Sequence, residues 1–187
     1  EMITLHNDCS LIVLKCLYFN LLGTMFKILD SGNVAIAEEI EKKYDFNVLL
    51  QCKDMVGLEN EIRSMIQSIC DDIKASTMEK KNNLTRAILV YIGDNYQNNA
   101  MSLEMLADEF KLNYTYVSHF FKEQIGETFG NYITRLRIDK AKKLLLETNK
   151  SIGEIAENVG YTNSTVFIRN FKKLEGMPPG QYRENTE

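Results

Sequence analysis

Apolar and polar positions alternate at helical rather than strand spacing along almost the whole chain. Between Gly57 and about Met78, the residues Leu58, Ile62, Met65, Ile66, Ile69 and Ile73 recur at intervals of three and four, which predicts one long helix with a single apolar stripe. The run KASTMEKKNN (Lys74 to Asn83) is polar and lacks that spacing, so it marks the expected boundary between a segment 1–83 and a domain 84–187. Upstream, Asn33 is placed to cap a helix through VAIAEEIEKKY, and FNVLLQC reads as a short strand or a buried turn. The stretch from Cys9 to Leu29 is apolar, but Lys15, Asn20 and Lys27 cut it into pieces well short of the ~20 apolar residues that a membrane span needs. It reads as a buried or interfacial helix.

After Leu84 the pattern repeats. Ser102/Ser151, Leu103/Ile152, Leu106/Ile155, Ala107/Ala156 and Phe110/Val159 pair at an offset of 49; after one extra residue, Val117/Phe167, Phe121/Phe171, Lys122/Lys172, Gly126/Gly176 and Tyr132/Tyr182 pair at 50. Each copy has the ingredients of a helix-turn-helix. Ser102 and Ser151 are N-cap candidates for a short first helix whose small Ala107 or Ala156 lets a second helix cross closely. The turn falls at KLN in one copy and GYTN in the other, where Gly160 can take a positive φ. Asn113, and Thr162 or Asn163, can then cap the second helix. Val117, Phe120 or Phe121 and Ile125 are expected to face inward in the first copy, and Val166, Phe167, Phe171 and Leu174 in the second. Phe129 to Glu147, with Asn149 near its end, reads as an unbroken connecting helix of roughly 28 Å. Such a strut can place two helices in successive major grooves, which recur about every 34 Å.

Composition supports an all-α fold. The 187 residues are 44% hydrophobic with only two prolines and ten glycines. The net charge of -4 looks unfavourable for a DNA binder until it is divided. Residues 1–83 hold nine Lys/Arg against thirteen Asp/Glu and carry all of it, whereas 84–187 hold thirteen of each. DNA binding needs a basic face rather than a basic average, and the balance turns positive from Ser118 to Lys143 (six basic, three acidic) and from Asn163 to Arg183 (four to one). Arg135 and Arg137 are as well placed to brace the two copies or touch the DNA backbone as to read sequence, and Lys142 and Lys143 read as a solvated face.

Cys9, Cys16, Cys52 and Cys70 form no CxxC pair and have no histidine at ligand spacing, so they are expected to be reduced, partly buried thiols of a cytoplasmic protein rather than a zinc site. His6 and His119 are the only histidines, and no phosphate-cradling or nucleophile motif is present, so neither an enzyme nor a bound cofactor or metal is expected. No signal-peptide pattern opens the chain; because it begins at Glu1, it is read as an excerpt of a longer protein. The competing reading is a helical protein-interaction module whose exposed Ile62/Ile69/Ile73 stripe serves a partner helix.

NYITRLRIDKAKKLLLETNKSIGEIAENVGY and FIRNFKKLEGMPPGQYR carry a dense, collinear likeness over roughly the last hundred residues. There the chain resembles the C-terminal DNA-binding domain of AraC/XylS-type transcription regulators. The resemblance implies a monomeric unit that reads two adjacent major-groove segments of promoter DNA. By position it makes Thr115, Ser118 and His119 base-facing in the first copy, and Ser164, Thr165, Ile168 and Arg169 in the second. It makes Lys122, Lys172 and Lys173 phosphate contacts, with Asn113 and Asn163 at helix N-termini that face phosphate. His119 stands where family members often carry arginine, which removes a bidentate guanine contact; Ile168 stands where a small polar residue is common, which leaves apolar contact such as with a thymine methyl. The order of helices before the domain is similar to the cytoplasmic part of regulators with a sensor outside the membrane. That likeness implies an upstream sensor domain, homodimerisation through 1–83 with signalling by rotation or register shift, and RNA polymerase as a further partner.

Overall fold

The computed structural model describes residues 11–25, 27, 40 and 42–185; the expectations placed on His6, Cys9 and Asn33 lie outside them. The described residues form helices and no strands. The chain divides into two compact units, Glu1–Lys81 and Asn82–Glu187.

In the first unit, helix α1 contains residues 11–25, α2 is Val48–Gln51, and α3 starts at Met55. Within FNVLLQC, Phe46 and Asn47 form a turn and Val48–Gln51 a single turn of helix with Leu49 buried, so the segment is a turn and not a strand. Asp45 accepts the Asn47 amide through its side chain at 2.9 Å, a local turn that starts α2. Lys15 on α1 donates to the Leu50 and Cys52 carbonyls, both at 2.8 Å, satisfying the acceptors that the helix end leaves over. The apolar stripe of α3 is not exposed. Leu58, Ile62, Met65 and Ile69 are buried against Leu22, Ile40 and Leu49, with Ile73 packed alongside; Ile66 alone of the stripe turns outward. This corrects the expectation that Ile62, Ile69 and Ile73 await a partner helix. Among the described cysteines, Cys16 and Cys70 are exposed rather than partly buried, and Cys52 is half-buried.

Helix α3 is Met55–Asn95, so it continues through KASTMEKKNN. That run contains no Gly or Pro and is built largely from Ala, Met, Glu and Lys, which favour helix even where no apolar face guides the packing.

The second unit continues with α4 (Leu103–Glu109), α5 (Tyr114–Ile125), α6 (Phe129–Glu147), α7 (Ile152–Asn158), α8 (Ser164–Glu175) and α9 (Pro179–Glu184). α4 and α7 start 49 residues apart, α5 and α8 50 apart, as do α6 and α9. Ser102 caps α4 through the Met105 amide, and Ser151 forms a reciprocal capping box with Glu154 on α7. Its hydrogen bonds to the Ser151 hydroxyl and amide hold the Glu154 carboxyl below its ordinary pKa. Thr128 caps α6, and Thr148 closes it. The turns close alike: Leu112 N–H reaches the Ala107 carbonyl at 2.8 Å, and Tyr161 N–H reaches that of Ala156 at 2.9 Å.

Two cores result. Ile88 and Ile92 of α3 join Leu106, Ala107, Val117, Phe120, Phe121, Phe129 and Ile133 in the first. Ile155, Ala156, Val159, Tyr161, Phe167 and Phe171 join Ile138, Ala141 and Leu145 in the second. α6 thus gives its first half to one core and its second half to the other. The repeat extends to ring geometry: Phe121 meets Tyr132 edge-on at 5.5 Å and 79°, and Phe171 meets Tyr182 at 5.4 Å and 77°.

Candidate nucleic-acid interface

In each copy the second helix packs one face on its core and presents the other to solvent. α5 buries Val117, Phe120 and Phe121; α8 buries Phe167 and Phe171. The apolar spacing leaves Thr115, His119 and Lys122 exposed on α5, with Ser118 half-buried. On α8, Ser164, Thr165, Ile168, Arg169, Lys172 and Lys173 are all exposed. Leu174, expected inward, is 47% exposed. It lies three residues after Phe171, in the last turn of α8 before the Gly176 cap.

Both helices start on asparagine. Asn113 Oδ1 accepts the Thr115 amide at 2.8 Å; Asn163 Oδ1 accepts the amides of Thr165 at 2.8 Å and Val166 at 3.3 Å. Asn163, not Thr162, is therefore the cap. Both helices end on a left-handed glycine, Gly126 or Gly176, whose N–H returns 2.9 Å to the carbonyl of Lys122 or Lys172.

Seven of the basic residues fall into two sets. Arg137 is only 9% exposed; its Nε donates to the Tyr96 carbonyl at 2.9 Å and its Nη2 to that of Asn98 at 2.8 Å, and burial pushes the guanidinium pKa down. Arg135 pairs with Glu127, whose hydrogen bonds raise the pKa of the guanidinium, and lies over the Tyr132 ring. Lys142 is not on a solvated face: it reaches Glu175 at 3.1 Å, tying α6 to the end of α8, and that hydrogen bond raises its pKa. Arg183 donates to the carbonyls of Leu145 at 3.2 Å and Lys150 at 2.7 Å, closing the C-terminal end of α6. By contrast, no ion pair among the described residues engages Arg169, Lys172 or Lys173, all exposed on α8. Their charge is left for a ligand.

Two exposed aromatics on α5 were not singled out from the sequence. Tyr114 and Tyr116 are 48% and 47% exposed, and the Tyr116 ring stacks on Phe120 at 5.6 Å and 23°. Their alignment with Ser164 and the half-buried Val166 of α8 is the signal that marks the outer surface of α5 as the more aromatic.

Two capped, solvent-facing second helices on repeated scaffolds joined through one helix define a double helix-turn-helix domain of the kind found in DNA-binding transcription regulators. The family model described as a helix-turn-helix domain matches residues 106–185. A similar protein is the uncharacterized HTH-type transcriptional regulator YtdP of Bacillus subtilis, 29% identical over 164 residues, spanning 87% of this chain and 21% of YtdP. An uncharacterized HTH-type transcriptional regulator in the cgkA 5' region of Pseudoalteromonas carrageenovora is 30% identical over 128 residues, 68% of this chain and 75% of that one. Among solved structures, the C-terminal domain of the two-component response regulator yesN from Fusobacterium nucleatum is 37% identical with a TM-score of 0.53, and covers 54% of this chain and 98% of its own. The chain belongs to the AraC/XylS-type family of helix-turn-helix transcription regulators. It spans about a fifth of the length of YtdP.

Proposed function

We propose that this chain is a sequence-specific reader of promoter DNA, in which residues 84–187 place α5 and α8 in two successive major-groove segments and residues 1–83 form a signalling and dimerisation segment. The observation that carries the reading is the sorting of cations: Arg137, Arg135, Lys142 and Arg183 hold the fold together, while Arg169, Lys172 and Lys173 face solvent on one helix. Thr115, Ser118 and His119 read bases from α5; Ser164, Thr165, Ile168 and Arg169 read them from α8. Lys122, Lys172 and Lys173 contact phosphates. Asn113 and Asn163 already use Oδ1 in capping, so their side-chain amide nitrogen is what each offers to a phosphate. RNA polymerase and a second copy of the chain are the remaining partners in the cytoplasm, with an upstream sensor domain outside the membrane; among the described residues no helix is long and apolar enough to cross a membrane.

The test is selection of bound duplexes from a randomised DNA pool by the full chain at two salt concentrations. Two enriched elements about one helical turn apart support the reading. Salt-sensitive binding without enrichment removes the sequence-specific part, and no binding at all favours the helical interaction module.

Two substitutions separate base from backbone contacts. Arg169→Ala is expected to cost about 1–3 kcal/mol on the selected duplex and to relax preference at one base pair; equal weakening on every sequence would make Arg169 a phosphate contact instead. Lys172→Ala is expected to weaken binding to all duplexes and to lower the slope of log K against log salt by roughly one. An unchanged slope would place Lys172 outside the interface.

A further inference from the structure

We infer that the junction around Arg137 sets the spacing at which the two DNA-reading helices act together. Arg137 sits on α6 between Ile133, which belongs to the first core, and Ile138, which belongs to the second. From there its guanidinium grips the Tyr96 and Asn98 carbonyls of the turn that follows α3, and lies 5.6 Å from the centre of the Tyr161 ring in the second copy's turn. Gly160, next to Tyr161, approaches the same strand of backbone: a methyl group there would lie 2.7 Å from the Tyr96 oxygen and 2.9 Å from that of Gln97. The Tyr96 ring packs against both cores, with Lys140 Nζ 5.5 Å from its centre. One arginine therefore joins the element that closes the first core, the shared helix, and the turn of the second motif.

This rests on the two-groove reading, and its physical content is effective concentration. Once one helix is docked, a stiff joint holds the other at its own groove, and affinity for the pair depends sharply on the distance between elements. A loosened joint spreads the second head over many positions, lowering affinity at the favoured spacing and flattening the dependence on spacing. Arg137 is a positioning residue in this scheme, since both its donors that the junction engages go to backbone carbonyls within the protein.

The experiment uses the full chain and duplexes carrying the two elements recovered from the random pool. They are tested at the selected spacing, with a half-turn insertion of roughly five base pairs, and as single elements. Wild-type affinity is expected to fall about tenfold or more on the insertion. Arg137→Met is expected to bind single elements within about twofold of wild type, to lose roughly tenfold at the selected spacing, and to lose less than about threefold more on the insertion. Arg137→Lys retains the charge without the two-donor fork and is expected to fall between them; it decides the matter if circular dichroism shows that Arg137→Met has not folded. If the folded variants melt earlier but keep the wild-type spacing preference, Arg137 is only a stabilising residue and the inference is overturned. If wild type itself is indifferent to spacing, the two-groove reading fails and takes the inference with it.

Discussion

Gly160→Ala is expected to destabilise the second unit by about 3 kcal/mol, read as a shift of the denaturant midpoint at constant m-value. Two effects add at this position. The backbone has φ +89°, where an L side chain costs ~1–2 kcal/mol. In addition the new Cβ would lie 2.7 Å from one backbone carbonyl oxygen and 2.9 Å from the next, contacts that the turn after α3 must move to relieve. Gly126→Ala is the internal comparison, because its φ is +83° but nothing lies within 4 Å of the added carbon. It should cost about 1 kcal/mol, the conformational part alone. Equal losses at the two sites would mean that the approach of the Tyr96 and Gln97 carbonyls contributes nothing. Lys111, at the matching turn of the first copy, holds φ +52° and is exposed, so that turn tolerates a side chain where the second does not.

Phe171→Ala is expected to be more damaging, by about 3–5 kcal/mol, and selective in what it unfolds. Phe171 is fully buried, edge-on to Phe167 at 5.7 Å and to Tyr182 at 5.4 Å, so truncation opens a cavity among rings from α8 and α9. Because the two cores are distinct and share only α6 between them as a helix contributing buried residues to both, the loss should appear as lowered hydrogen-exchange protection in α7, α8 and α9. Protection in α4 and α5, which rest on Phe121, should change far less. A uniform loss across both copies would show that they unfold as one cooperative body. Wild-type stability would mean that the pairing of Phe171 with Phe121 does not describe the packing.

Much of this domain is legible before any coordinates, for a physical reason. Helix formation and capping act over four residues or fewer, so the spacing of Leu106, Val117 and Phe121, the N-cap serines, and Asn113 and Asn163 one turn ahead of an apolar run could be read directly. The repeat multiplied that local evidence, since two copies carried the same pattern at offsets of 49 and 50. The long helix α3 was half legible: its stripe was seen, but its continuation through KASTMEKKNN was not, because a polar run without a packed face looks the same whether it is linker or helix.

What spacing could not decide was where each side chain ends its reach. Arg137 finds its carbonyls 41 and 39 residues away, Lys142 its carboxylate 33 away, and Arg183 its carbonyls 38 and 33 away. In sequence these three are as basic as Arg169, Lys172 and Lys173, and only the tertiary arrangement takes them out of the charge offered to DNA. The same holds for apolar residues: Ile62 and Ile69 are covered by α1 and its neighbours, while Leu174 is left in solvent, because burial depends on which element crosses a helix face and not on the periodicity of that face. By itself the sequence determined the helices, their caps and the duplication; the long-range contacts decided which cations remain for a ligand and how the two reading helices are held.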